Sequence, residues 1–232
     1  MYPTPDEKVY IDVAEKLMVE TMARYDPSHD AYHVQRVRKT ALAIANALLV
    51  KPDLLVVELA ALLHDVLDKK YVTAEQAADP FTFFVPLFKG AAQRSSIDLI
   101  ADGRARLITQ IIENVSWTTE KRLRASGLWG KWHDECLELH CVQDADRLDA
   151  IGAFGVLRCA AYTSATNNPL HTPANDPALE ASAIQHFHDK LVHIKDRLKT
   201  TPGKKLGEKR HKLIVDFIAA VQEEYDIPDI NS

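Results

Sequence analysis

The stretch from Pro52 to Lys70, PDLLVVELAALLHDVLDKK, is strongly apolar at the helical period and carries His64 and Asp65 near its end. It commits the chain to a helix that buries hydrocarbon, yet it sets a His-Asp pair among Leu62, Leu63, Val66 and Leu67. An unpaired buried carboxylate costs several kcal/mol, so a cation or a metal normally holds it. Two further pieces fit a metal: His33 upstream in SHDAYHVQRV, and the run Asp144-Ala145-Asp146-Arg147-Leu148-Asp149 downstream. Together they offer two imidazoles and two carboxylates to one divalent ion. That is a candidate hydrolytic centre.

The helical period recurs along almost the whole chain. Val9, Val13, Leu17 and Thr21 mark a first helix over about 6–24. Asp26-Pro27-Ser28 reads as a helix start, with Pro in the first turn, opening a helix that carries His33, Val37, Ala41, Ile44 and Leu48. Pattern is lost over 71–90, where four phenylalanines and two X-Pro pairs suggest a loop or short helices. It returns over 95–115, weakened at Gly103, before a polar, Trp-rich connection. Residues 133–163 read as one or two helices, with Gly152 and Gly155 permitting a bend, and 167–177 as a loop. Two helical segments, 178–199 and 206–225, finish the chain. With no convincing alternating strand, the expected fold is all-α. One helical domain over 1–232 is expected, with a metal-site core at about 26–165 and helices at about 178–226 packing on it.

Charge and cysteine content narrow the partners. A net charge of −5 argues against a long nucleic acid as substrate, though not against a small anion met by a local metal and a few cations. Three cysteines, Cys136, Cys141 and Cys159, make a poor disulfide framework. The first ten residues lack a secretory pattern, and the longest apolar run, 41–50, falls far short of the roughly 20 residues that span a bilayer. A soluble cytoplasmic protein without membrane partners is expected, nuclear as well if the source is eukaryotic.

Adjacent residues on a helix project about 100° apart, so His64 and Asp65 can both reach an ion between them. Asp68 shares their edge of the helix and is a general-base candidate; Lys69 can hold a phosphate. Imidazole and carboxylate ligands suit one borderline-to-hard divalent ion, Mn first, with Fe, Co, Mg or Ni also compatible. A His-Asp pair by itself specifies little. The combination of three pieces, each on a helix, carries the reading.

At this point the chain resembles the HD-domain metal-dependent phosphohydrolases. His33, His64-Asp65 and the ADRL of 145–148 follow their H…HD…D pattern. AALLHDVLDKKY, VQDADRLDAIGAFG, HFxxKL at 186–191 and the EKRHKL near the C-terminus resemble a small stand-alone subgroup, over about 26–224. The resemblance implies an all-helical HD-type bundle with His33, His64, Asp65 and one Asp of the QDADRLD run as metal ligands. Asp146 is the choice by the ADRL pattern, and Asp144, four residues after His140, is its rival. Relatives of the subgroup hydrolyse nucleoside triphosphates to monophosphate and pyrophosphate. The superfamily's guanosine-tetraphosphate hydrolases carry an acidic pair after the His-Asp; here those positions are Asp68 and Lys69, a departure from that substrate.

The expected roles follow. Asp68 steers or deprotonates the water, and Arg36 and Lys69 contact phosphate. His29 orients a ligand or substrate, while Lys190 and Arg210 reach a polyphosphate from the last helices. Asp30 and Asp149 are expected behind the ligands, holding imidazole N–H groups or Arg36. The expected function is metal-dependent hydrolysis of a (deoxy)nucleoside triphosphate. A 5′-nucleotidase, a phosphodiesterase and a nucleotide sensor without turnover are the alternatives. The expected partner is a small nucleotide or phosphate ester, and a homodimer is compatible with the sequence.

Overall fold

A computed structural model of the chain describes residues 2–67 and 79–226. Among them every regular element is helical, so the fold is all-α. No helix among the described residues is long and apolar enough to cross a membrane. The chain divides into two compact units, one of residues 1–25 and 29–146, the other of 26–28 and 147–232.

The first unit is built around the apolar stretch. Helix α1 (Pro5–Met22) opens on a capping box in which the Thr4 and Glu7 side chains exchange bonds with each other's backbone N–H. Helix α2 spans Ala31–Ala47 and α3 spans Leu54–Leu63. They are followed by α4 (Pro80–Ala92), α5 (Arg104–Asn114), α6 (Trp117–Ala125), α7 (Lys131–Glu135) and α8 (Leu137–Asp149). Helix α3 is the centre: every residue from Leu55 to Leu63 is buried, and it packs against α1, α2 and α5. A helix apolar all round survives only when neighbours cover each side. Glu58 breaks that rule inside α3, and Arg38 of α2 answers it, with Nε 2.7 Å from the Glu58 carboxylate. The same guanidinium reaches Glu15 of α1 at 3.0 Å, and the Tyr2 hydroxyl donates to Glu58, so one buried charge ties three helices together.

The second unit holds α9 (Gly152–Ala165), α10 (Ala183–Asp189) and the long α11 (Thr201–Asp226), with three single 3-10 turns between 179 and 197. Helix α9 packs on α10 and α11, and α10 on α11. Gly152, at φ 77°, turns the chain into α9, and the Arg210 side chain lies so close that a Cβ there would come to 3.0 Å. The Arg210 guanidinium donates to the Leu148 carbonyl, and Arg147 donates to that of Arg197 at 2.7 Å. These bonds bring side-chain donors to backbone oxygens near a helix end and a turn, the Leu148 oxygen also accepting the Ile151 N–H at 3.3 Å.

Several boundaries differ from the sequence reading for local reasons. Helix α2 begins at Ala31, not at the Asp26-Pro27-Ser28 signal. Asp30 wins the cap by accepting the His33 N–H at 2.8 Å, while Asp26 closes a turn onto Ser28. The helix expected from 95 starts only at Arg104: Gly103 sits at φ 87°, and the Asp98 and Asp102 carboxylates hold the backbone of the preceding turns. The Trp-rich connection contains α6, capped by Ser116. The segment 178–199 breaks into α10 and 3-10 turns instead of one helix, whereas Thr201-Pro202-Gly203, lying between the two expected segments, forms the first turn of α11.

Candidate metal centre

The three sequence pieces come from α2, the end of α3 and α8, all in the first unit. His33 lies in the first turn of α2, its backbone fixed by the Asp30 cap and its side chain fully buried. The continuous helix expected to Lys70 stops at Leu63, and residues 64–67 form a turn. That turn follows from the His64 ring folding back, with Nδ1 2.8 Å from the Ala61 carbonyl, an oxygen of the last helical turn. Asp65 then faces His33 and His64. Asp146 arrives from α8, its side chain 30% exposed.

The His33 Nε2 lies 3.4 Å from Asp65 Oδ2 and 3.7 Å from Asp146 Oδ1. The His64 Nε2 lies 3.3 Å and 3.9 Å from the same two oxygens. The two imidazole rings stand 5.5 Å apart between centroids, nearly perpendicular. Ligand atoms of His33, His64 and Asp146 all fall within 4.8 Å of one another. These separations exceed a good hydrogen bond and match donors spread about one ion, where neighbouring ligand atoms sit roughly 3–4 Å apart.

The electrostatics ask for positive charge at that point. Burial works against a charge on His64, yet the Asp65 carboxylate, with Asp146 behind it, outweighs burial and raises the imidazole pKa to about 9. Burial also pushes the Asp65 carboxyl up, and the His64 and His33 imidazoles overcome this and hold it well below the usual range. His64 Nε2 is buried with no hydrogen-bond partner. With Nδ1 held on a carbonyl, loss of the Nε2 proton would leave the tautomer a metal ligand needs, its lone pair at Nε2. The donor set therefore fits a divalent cation.

The other candidate residues divide. His29 stands beside His33, ring centroids 6.0 Å apart, and Arg36 is half-buried one turn along α2. Asp30 holds the His33 backbone N–H, not an imidazole. Asp144, the rival to Asp146, is fully buried, and His140, four residues before it, is bonded through Nε2 to the His133 carbonyl at 2.8 Å. Asp149 takes Arg158 at 3.3 Å. Lys190 and Arg210 belong to the second unit, and Arg210 serves the Leu148 carbonyl. Asp68 and Lys69 lie outside the described residues. Sequence reasoning missed the Arg38–Glu58 pair behind the ligands of α2 and α3; a lone acid in LLVVELAALL was the available signal.

No family model matches the chain. It is 32% identical over 204 residues to YpgQ of Bacillus subtilis, covering 88% of this chain and 87% of that protein. The crystal structure of B. subtilis YpgQ in complex with ADP has a TM-score of 0.66 at 27% identity, covering 98% of this chain and all of that one. A solved structure from Listeria innocua has a TM-score of 0.70 at 28% identity, over 97% of this chain and all of that one. An HD-superfamily hydrolase from Bacillus thuringiensis shares the fold at a TM-score of 0.65 and 24% identity, over 96% of this chain and all of that one.

Proposed function

We propose that this chain, which belongs to one family with YpgQ of Bacillus subtilis, is an HD-type metal-dependent phosphohydrolase that hydrolyses a (deoxy)nucleoside triphosphate to the monophosphate and pyrophosphate. The observation that carries the reading is the cluster of His33, His64 and Asp146, joined by Asp65, with the buried His64 Nε2 hydrogen-bonded to nothing and 3.3 Å from the Asp65 carboxylate. The YpgQ complex with ADP supports a nucleotide as the ligand class. His33, His64, Asp65 and Asp146 would hold the cation, Mn before Fe, Co, Mg or Ni. When bound, the ion supplies Lewis acidity and a charge that lowers the pKa of water.

The chain's own groups do the rest. Asp68 accepts the proton of the attacking water. Water oxygen bonds to the α-phosphorus as the bridge to the β-phosphate breaks, and pyrophosphate departs with the electron pair. Arg36 and Lys69 offset the charge gathering on the phosphoryl oxygens, where fixed cations in a dry site are most effective. His29 orients the substrate. A cytoplasmic location follows from the substrate.

Product analysis tests this. Metal-stripped, Mn-reloaded protein is incubated with ribo- and deoxyribonucleotides beside His64→Ala and Asp68→Asn. Pyrophosphate is the expected product, lost in both variants. Inorganic phosphate from monophosphates would move the assignment to a 5′-nucleotidase, and an opened cyclic nucleotide to a phosphodiesterase. Tight nucleotide binding with no turnover under any divalent ion would make the protein a sensor.

A further inference from the structure

Asp146 is held differently from the two histidines of the centre. The Asp30 cap fixes the His33 backbone at 2.8 Å, and the Ala61 carbonyl fixes the His64 ring at 2.8 Å. Asp146 has no hydrogen bond among the described residues; its neighbours are the His33 and His64 nitrogens at 3.7 and 3.9 Å. Where its carboxylate points is therefore set by its own rotamer and by the rotation of α8. Turning that helix by about 20° moves a carboxylate roughly 5 Å from the axis by about 2 Å. A metal–ligand distance tolerates about 0.2 Å.

Two polar side chains on α8 resist such a turn. His140, Gln143 and Asp146 recur every third residue along one edge of the helix, among the buried Leu139, Cys141, Val142, Ala145 and Leu148. The His140 Nε2 donates to the His133 carbonyl of α7 at 2.8 Å. Gln143 is wholly buried; its Nε2 donates to the Asn114 carbonyl at 2.7 Å and lies 3.4 Å from the Glu120 carboxylate. A carbonyl and an ionised carboxylate only accept, so the amide nitrogen faces them. Asn114 is the last residue of α5, where a carbonyl has no partner within its own helix. Glu120, on α6, is itself buried and tied to Arg124 at 2.9 Å. The row thus joins α8 to α5, α6 and α7 in the two turns before Asp146.

We propose that Gln143, with His140 behind it, is a positioning residue for the metal centre: the two fix the rotation of α8 and so bring the Asp146 carboxylate to the ion. The inference rests on the reading of His33, His64, Asp65 and Asp146 as metal ligands. Packing does not account for an amide at position 143. Its Oε1 is buried with no hydrogen-bond partner, a cost that an apolar side chain of the same size avoids. What the amide offers in return is its pair of N–H groups aimed at α5 and α6. A carboxylate without hydrogen bonds keeps both oxygens for a cation, and the amide one turn away supplies the rigidity the carboxylate lacks.

The test measures metal affinity in the full-length protein, with free Mn2+ counted by electron paramagnetic resonance and the folding of each variant checked by circular dichroism. Gln143→Met keeps the volume, removes both donors and is expected to weaken Mn2+ binding by about tenfold to a hundredfold. His140→Leu should weaken it in the same direction and less. Cys141→Ala, on the opposite side of α8, removes buried packing and should leave the affinity within about twofold, which separates positioning from loss of stability. In an Asp146→Ala background, Gln143→Met should weaken binding no further, because the amide acts through that carboxylate. Should Gln143→Met fail to fold, His140→Leu and its combination with Asp146→Ala carry the same comparison. An unmodified protein that binds no Mn2+ would sink the metal reading and the proposal together. Binding by the unmodified protein matched within about twofold by Gln143→Met, an equal loss in Cys141→Ala, or losses that multiply in the double variant would overturn the proposal and leave the metal reading standing.

Discussion

At the residue scale, the central fact is that His64 serves two masters, a backbone carbonyl at Nδ1 and a pair of carboxylates at Nε2. With its pKa raised to about 9, the metal-free centre carries a proton at pH 7. Its folded pKa lies above the unfolded value near 6.5, so this pairing stabilises the metal-free protein fully below about pH 6.5 and is lost as pH rises through about 9. A divalent ion must displace that proton. Mn2+ titrated into metal-free protein near pH 7 in weak buffer is expected to release about one proton per ion bound. Binding without proton release would exclude the His64 Nε2 as a ligand. The cysteines give an opposite kind of prediction. Burial pushes Cys136 up to about 11 and Cys141 up to about 12, so neither is a thiolate near pH 8. Alkylation by iodoacetamide at that pH should be at least about a hundredfold slower than for an ordinary exposed thiol; rapid labelling of either would mean the site opens. Legibility at this scale was high where chemistry was written in side chains. His33, His64, Asp65 and Asp146 stand together, each named by a polar residue in an apolar or patterned context. The Ala61 carbonyl could not be read, because every residue carries one.

At the element scale, the periodicity located helices well and their ends poorly. Pro27 looked like a first-turn proline, but a helix starts where a side chain captures its free N–H groups, and Asp30 does that for His33. Gly103 marked a weakness in the pattern and is in fact the boundary, since its left-handed backbone precedes α5. The break between α8 and α9 was foreshadowed by Gly152 and Gly155. A Cβ at Gly155 would lie 2.4 Å from the Ala150 carbonyl oxygen, so Gly155→Ala should cost about 1–3 kcal/mol in urea denaturation. An unchanged midpoint would show that the turn relaxes freely. The strut of Arg38 and Glu58 belongs here too, because it joins α2 to α3. The Glu58 side chain is 4% exposed. Removing Arg38 (Arg38→Met) strands that charge and should cost about 3–5 kcal/mol, whereas Arg38→Met with Glu58→Leu should recover most of it. If the single and double changes were equal, the ion pair would not be what holds the two helices.

At the scale of the whole molecule, the all-α architecture was readable because a helix-period pattern with no alternating run leaves one class of fold. The division into two compact units was not readable, because nothing in composition changes at residue 147. The boundary falls within the residues of α8, so one domain remains the expected unit of folding. Differential scanning calorimetry should then show one cooperative transition, with calorimetric and van't Hoff enthalpies equal. Two resolved transitions would make the units separate domains.

The bond from His64 to the Ala61 carbonyl has a genetic consequence. An acceptor supplied by a side chain is lost by a point mutation, but no substitution at position 61 removes an oxygen that the peptide bond itself provides. The orientation of this ring is therefore shielded from drift at its neighbour. Of its two anchors only the carboxylates are exposed to selection, so variation that retunes this ring has to pass through Asp65, Asp146 or His64 itself.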